Sequence, residues 1–252
     1  MKILIDTNIY LDFYRSNNDS LKILSKIQNE SNSIILTNQI IDEFYRSREK
    51  VLKLVKNIFL SESNIERTSS TFLPTLTEYN DFSENQKKYL ESRKYMEYKI
   101  QDIIDNISSD TIATEFKIFT DKIIEEGNLL TRTEEIYNKA IKRKYEGNPP
   151  TSDKYSIGDE INWEIVLANL KDDIVIVGRD STYTENFNFL RQEYHRETGK
   201  FIIKLTNTIS EAFKIIGIDS SEIKSIEAKQ IEDLNTYAKY WHHKEIENEK
   251  EN

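Results

Sequence analysis

Four short runs of Ile, Leu and Val lie near the two ends of the chain, two at each end. These runs span residues 2–5, 33–36, 173–177 and 201–205. Apolar runs without polar alternation are typical of strands buried on both faces of a parallel sheet. Segments with helical periodicity accompany them, over residues 20–28, 38–59, 159–170 and 207–216. This alternation predicts an α/β fold with an open parallel sheet.

The middle of the chain, about residues 60–150, has a different pattern. Its periodicity is helical throughout, and it contains no convincing strand. We therefore predict one α/β domain over residues 1–217, interrupted by a helical insertion at about 60–150. The remaining residues, 218–252, are predicted to be helical to about His243 and to end in a charged tail.

Composition excludes several kinds of site. The chain has 252 residues, of which 37% are hydrophobic, so it can bury a sizeable core. Cys is absent, which excludes disulfides, thiolate metal sites and Cys nucleophiles, and only three His are present. No apolar run approaches the length of a membrane span and no signal-peptide pattern begins the chain, so we expect a cytoplasmic protein without membrane association. The net charge of −9 argues against binding nucleic acid through bulk positive charge.

Four acidic residues stand at matching places in this predicted frame. Asp6 follows the first strand and Asp180 follows the third, while Asp159 begins a helix and Glu43 lies in the helix after the second strand. Ligands of open parallel sheets bind outside the carboxyl ends of the strands, so these acids can converge at one edge. Crowded carboxylates repel one another, and divalent cations relieve that repulsion. Because Mg²⁺ and Mn²⁺ prefer oxygen ligands, the pattern predicts a site for one or two such ions.

Each acid also has a simpler interpretation when it is taken alone. Asp6 and Asp159 are residues that cap helices, Asp180 suits a turn, and Glu43 suits a solvated helix face. Capping and turns do not require all of these acids to fall at equivalent points of the fold, so the joint pattern favours a shared site.

Four segments, taken together and in this order, resemble the PIN-domain nucleases. They are ILIDTNIYLDFYR, SIILTNQIIDEFYR, GNPPTSDKYSIGDEINWEIVL and IVIVGRDSTY. The resemblance is strongest to the larger bacterial branch, with a helical insertion and a Pro-Pro … Gly-Asp … Trp signature. It implies a Rossmann-like three-layer fold and Mg²⁺- or Mn²⁺-dependent endonucleolytic cleavage of single-stranded RNA. A toxin or phage-defence role is compatible with it.

The resemblance also assigns roles to individual residues. It implies that four acids carry catalysis and hold the metal: Asp6, Glu43, Asp159 and Asp180. Thr7 and Asn8 are expected to shape the loop over the metal. Lys142 and Arg143 are expected to contact the RNA, because they lie in a run of cations with Lys139 and Lys144, and Arg143 also matches a basic residue of the family. Two departures from the family pattern are Gly178, where Thr is frequent, and the missing acid and Trp after Asp180. Tyr183 or Phe187 is expected to fill that space.

Three other functions remain open at this stage. A phosphatase of the haloacid-dehalogenase type also places an Asp after its first strand, but it needs a second Asp where this chain has Asn8. A DNA nuclease of the flap-endonuclease kind shares the fold but usually has more acids. A non-catalytic RNA-binding module with this fold would not need the four acids. The expected partner is single-stranded RNA, and a homodimer or a protein partner is also compatible with the sequence.

Overall fold

The computed structural model describes residues 1–16, 19–65, 70–151, 155–179 and 181–250, with backbone alone at 181 and 237–250. The strands are β1 (Lys2–Ile5), β2 (Ile34–Thr37), β3 (Leu129–Leu130), β4 (Ile174–Val177) and β5 (Ile202–Thr206). The helices of the first part are α1 (Thr7–Leu11), α2 (Leu21–Asn29), α3 (Asn38–Glu62), α4 (Tyr79–Asp105) and α5 (Thr111–Glu125). Those of the second part are α6 (Glu134–Glu146), α7 (Gly158–Asn169), α8 (Ser181–Glu185), α9 (Phe187–Thr198), α10 (Ile209–Ile215) and α11 (Ser221–Lys250).

The strands form one five-stranded sheet in the order β3-β2-β1-β4-β5, and every pairing is parallel. The predicted open parallel sheet is therefore confirmed. Strand β1 lies at the centre, with β2 on one side and β4 on the other. From β1 the chain adds β2 and β3 on one side and then crosses to add β4 and β5 on the other side. The crevice at such a switch point is where open α/β sheets bind ligands.

Two groups of helices cover the two faces of the sheet, which gives the predicted three-layer architecture. Helices α6, α7 and α9 contact one another, and α7 and α9 contact strands. Helices α2, α5, α10 and α11 form the second group, in which α5 and α10 contact strands. Strands β1, β2 and β4 consist mainly of Ile, Leu and Val, and all of their residues except Lys2 are buried, as is typical of strands that lie between two helix layers.

The prediction that the middle contains no strand is wrong. Leu129 and Leu130 pair with the end of β2 and extend the sheet by one edge strand. Helix α5 also contributes Phe116 and Phe119 to the main core. A strand of two residues is too short to produce a recognisable apolar run, which is why the pattern did not reveal it. By contrast, α4 buries Ile104 alone among its described residues, as expected of an inserted helix.

The last helix is longer than predicted. Helix α11 continues to Lys250, beyond the predicted end near His243, because the Glu- and Lys-rich sequence favours helix and allows i,i+4 ion pairs. Its first turns belong to the fold, since Ile223 lies in the main core and Glu227 accepts hydrogen bonds from the backbone of Ile209 and Ser210. Among the described residues, no helix is long and apolar enough to span a membrane. The domain boundaries at 217 and 218 stay a prediction.

Candidate active site

Asp6 lies at the switch point of the sheet. Its amide N–H donates to the carbonyl of Val177 at the end of β4, at 2.9 Å. Its Cβ lies 3.6 Å from the point where a Cβ on Gly178 would stand, so the small residue there leaves room beside Asp6. Asp6 occupies the N-cap position of α1, but its side chain makes no capping hydrogen bond to that helix. Helix capping therefore does not account for this buried acid.

Glu43 approaches the same region from α3. Its Oε2 accepts a hydrogen bond from the hydroxyl of Thr7, at 3.3 Å. The same oxygen lies 3.6 Å from the position of a Cβ on Gly158, at the start of α7. Thr7 is buried, Asn8 beside it is half-buried, and Glu43 is half-buried. Glu43 thus lies between the segments of Thr7 and Gly158. These surroundings do not match those of an acid on a solvated helix face.

Asp159 is the second residue of α7, and the N-cap position of that helix is Ile157. The interpretation of Asp159 as an N-cap is therefore wrong. The acid is half-buried and follows Gly158, where a Cβ would lie 3.6 Å from Oε2 of Glu43. The helix dipole favours carboxylates near a helix start, so the first turn of α7 is a suitable position for an acid.

The phenol of Tyr183 shows that these acids share one environment. Tyr183 is 2% exposed. Burial is the largest cause that raises its pKa well above the usual value, and the charges of Asp159, Asp6 and Glu43 raise that pKa further. Three carboxylates from separate segments therefore act on one buried side chain.

A chain of buried hydrogen bonds ends at Tyr183. The hydroxyl of Thr37 donates to Oδ1 of Asn162 at 2.6 Å, and Nδ2 of Asn162 lies 3.5 Å from the hydroxyl of Tyr183. The sequence pattern did not predict a role for Thr37 or Asn162. The sequence could have indicated Asn162, because this residue lies one helical turn after Asp159 and therefore on the same face of α7.

The donor types suit a hard divalent cation, but a complete set is not present among the described residues. In the described ranges, no group of three or more Asp, Glu or His side chains is close enough to hold a metal ion. The expectation that Asp6, Glu43 and Asp159 form a ready metal site is thus not confirmed by these residues. Asp180, the remaining predicted ligand, lies outside the described residues. Carboxylate oxygens are the ligands that Mg²⁺ and Mn²⁺ prefer, so the chemistry of the available donors fits.

The predicted RNA contacts on α6 have different surroundings from one another. Lys142 is exposed and lies 3.7 Å from Glu146. Arg143 is buried, and its guanidinium donates to Glu164 and Glu193 at 2.7–3.0 Å. The prediction that Arg143 contacts RNA is therefore wrong, because its donors are turned into the protein.

Comparison with known proteins identifies the family. The family model of the PIN domain matches residues 3–183, from the second residue of β1 to beyond β4, and this range includes all four predicted acids, Asp6, Glu43, Asp159 and Asp180. Searches of curated proteins and of solved structures found no match. PIN domains are in general nucleases and typically use divalent metal ions, so the match supports an enzyme of the nuclease class. The chain belongs to the PIN domain family.

Proposed function

We propose that the protein is a Mg²⁺- or Mn²⁺-dependent endonuclease that hydrolyses phosphodiester bonds of single-stranded RNA. The observation that carries the proposal is that Glu43 lies between Thr7, the neighbour of Asp6, and Gly158, the neighbour of Asp159, at the switch point of the sheet. Family membership supplies the reaction class. RNA as the substrate rests on the resemblance to PIN-domain nucleases.

Asp6, Asp159 and Asp180 are the proposed ligands of the cation. When bound, Mg²⁺ or Mn²⁺ lowers the pKa of water and stabilises the charge on the leaving oxygen. Glu43 is proposed to orient the attacking water, because the Thr7 hydroxyl fixes the position of its carboxylate. The water oxygen forms a bond to phosphorus while the bond to the leaving oxygen breaks. One proton leaves the water, and the leaving oxygen gains one.

A phosphatase of the haloacid-dehalogenase type is less consistent with this site. That chemistry needs an acid two residues after the nucleophilic Asp, and a carboxamide at Asn8 cannot transfer the proton. Two alternative functions, a DNA nuclease and a non-catalytic RNA-binding module, are distinguished by a cleavage experiment. A toxin or phage-defence role would follow from RNA cleavage and is tested by growth arrest on induced expression.

The test is cleavage of labelled single-stranded RNA, single-stranded DNA and a phosphomonoester, each with Mn²⁺ or with EDTA. We expect the parent protein to cleave RNA in Mn²⁺ and to be inactive in EDTA. Asp6→Asn and Asp159→Asn should each abolish cleavage, since each loses a charge in a nearly isosteric change. Asp81→Asn is the matched control, because Asp81 is exposed in the first turn of α4.

If Asp6→Asn cleaves RNA as well as Asp81→Asn does, the proposed metal site is wrong. Cleavage of DNA alone would assign a DNA nuclease. RNA binding without any cleavage by the parent protein would assign the non-catalytic module.

A further inference from the structure

A cleft of about 620 Å³ opens beside the acids, between α3, α6 and α7. Ile157 and Ile161 line it, and most of its other lining residues are polar. The lining includes Gln39, Arg46, Arg132, Glu134, Tyr137 and Gly158. This volume is within the range of small-molecule sites, so the cleft has room for a nucleotide.

The cleft is continuous with the proposed catalytic centre. Gly158 lines it, and the Oε2 of Glu43 lies 3.6 Å from the position of a Cβ on that glycine. Gln39 and Arg46 stand four residues before and three residues after Glu43 in α3, so the three side chains share one face of the helix. A ligand in the cleft would therefore lie alongside the carboxylate that we propose orients the attacking water.

Two arginines give the cleft its capacity to bind an anion. Arg132 is held in place, because its guanidinium donates to Oε1 of Gln39 at 3.1 Å and lies 3.4 Å from Asp42. Arg46 is exposed and makes no ion pair within the part of the chain that the structure describes. Guanidinium groups bind phosphate with two parallel hydrogen bonds. Glu134 also lines the cleft, and its negative charge would repel a bound anion. Removing that charge therefore tests whether the cleft binds an anion.

Tyr137 adds a surface for a base. Its ring is 41% exposed and lines the cleft together with the two arginines. Aromatic rings bind unpaired bases by stacking, whereas the bases of a duplex are already stacked on one another. The combination of cations and an exposed ring is thus suited to a single strand.

We infer that this cleft binds a nucleotide of a single-stranded substrate next to the bond that is cleaved, with Arg46 and Arg132 on the phosphate and Tyr137 on the base. The inference rests on the proposed function, since it names the binding site of that substrate. It replaces Arg143, whose guanidinium is buried, as the arginine that contacts the strand.

The experiment measures binding without cleavage. A fluorescent single-stranded RNA is titrated with protein carrying Asp6→Asn, and the anisotropy is recorded over a range of salt concentrations. Adding Arg46→Ala or Arg132→Ala should weaken binding and reduce the slope of log K against log salt by about 0.7 for each lost phosphate contact. Glu134→Gln should tighten binding. Tyr137→Leu should weaken binding to the single strand and leave binding to a duplex unchanged.

Arg191→Ala is the matched control, because Arg191 is exposed on α9, which contacts α7, α8 and β5 and does not line the cleft. Arg132→Lys keeps the charge and should retain more affinity than Arg132→Ala, and unchanged melting temperatures exclude misfolding. If Arg46→Ala and Arg132→Ala bind as Arg191→Ala does, the inference is overturned.

Failure of the proposed function gives a different result. In that case the parent protein binds the strand through these arginines but cleaves no nucleic acid. Parallel titrations with single-stranded DNA show whether the cleft distinguishes the two sugars. Equal binding of single strand and duplex by every variant would overturn the assignment of Tyr137 to a base.

Discussion

At the scale of single residues, Arg143 joins three helices through one buried ion cluster. Its guanidinium, on α6, donates to Glu164 on α7 and to both oxygens of Glu193 on α9. Trp163 donates its indole N–H to the same Glu193, at 2.7 Å, and the carbonyl of Pro149 accepts a further hydrogen bond from Arg143. Burial of two carboxylates is tolerated here because Arg143 and these donors satisfy them, and the exposed Arg196 lies a further 3.7 Å from Glu193.

Arg143→Ala should therefore destabilise the fold rather than weaken substrate binding. Removal of the cation leaves Glu164 and Glu193 buried with like charges, and such losses cost about 3–5 kcal/mol. Lys142→Ala, at the exposed neighbouring position, should change the free energy of unfolding by less than about 0.5 kcal/mol. Urea unfolding of the two variants measures the difference. Equal stability of the two variants would contradict this account of Arg143.

The sequence pattern explains why these positions were assigned together and why they differ. Lys142, Arg143 and Lys144 are consecutive cations, but successive residues of a helix point about 100° apart. The structure accordingly exposes Lys142, buries Arg143, and turns Lys144 towards buried Glu160, 3.2 Å away. A run of basic residues predicts a positively charged segment, but the helical period determines which of these residues face the solvent. That phase depends on packing against α7, which no local motif specifies.

At the scale of elements, Thr37 connects a strand and two helices. It ends β2 and caps α3, where its hydroxyl accepts from the amide of Ile40 at 3.1 Å. The same hydroxyl donates to Asn162 on α7. The helices that carry Glu43 and Asp159 are thus joined through one side chain that is fully buried.

Thr37→Val should loosen that connection. The change keeps the shape of the side chain but removes an N-cap, worth about 1 kcal/mol. It also leaves Oδ1 of Asn162 without its buried donor, which costs about 1–3 kcal/mol. We expect a loss of about 2–4 kcal/mol in the free energy of unfolding, measured by chemical denaturation. Thr37→Ser retains the hydroxyl and is the control, with less than half of that loss expected. If the serine variant is as unstable as the valine variant, packing of the methyl group and not hydrogen bonding holds this junction.

Elements differ in how far the sequence could predict them. Strands β1, β2, β4 and β5 were predictable, because each is a run of several apolar residues. Strand β3 was not, because its two leucines become a strand only by pairing with β2. The buried face of α5 was also hidden, since an amphipathic helix in an insertion and one in the core have the same period. The local sequence pattern predicts that a helix or strand forms, whereas the elements that pack against it determine where it lies in the fold.

At the scale of the whole molecule, strand order brings distant acids together. Asp6, Glu43 and Asp159 are far apart in sequence, and the central position of β1 places their segments around one crevice. The positions of Asp6 and Asp159 next to β1 and at the start of α7 could be predicted, because each follows or begins an element, and their role in a shared site stays a prediction. Tyr183 could be expected only to fill space there, and its contact with Asn162 required the packing of α7. The structure thus adds a buried polar floor to the predicted acids.

Repulsion among these acids predicts an effect on stability in the absence of metal. Asp6→Asn removes one of the negative charges that act on Tyr183, and like charges at close range repel by on the order of 1 kcal/mol in a solvated site. In EDTA, the variant should therefore melt slightly above the parent protein. Asp81→Asn, which makes the same change on the exposed face of α4, should not. A lower melting temperature for Asp6→Asn would show that its carboxylate makes stabilising contacts in the metal-free fold.

Divalent metal should reverse that order. A cation that binds only the folded state stabilises it by about 2.7 kcal/mol at 100 times its Kd, which corresponds to roughly 5–10 °C for a domain of this size. We expect Mn²⁺ to raise the melting temperature of the parent protein and of Asp81→Asn by such an amount. Asp6→Asn should lose most of the rise, because it lacks a proposed ligand. Scanning fluorimetry across a Mn²⁺ series, with EDTA as the reference, measures both effects. If Asp6→Asn gains as much stability from Mn²⁺ as the parent protein does, Asp6 does not hold the metal and the proposed centre must be placed elsewhere in the fold.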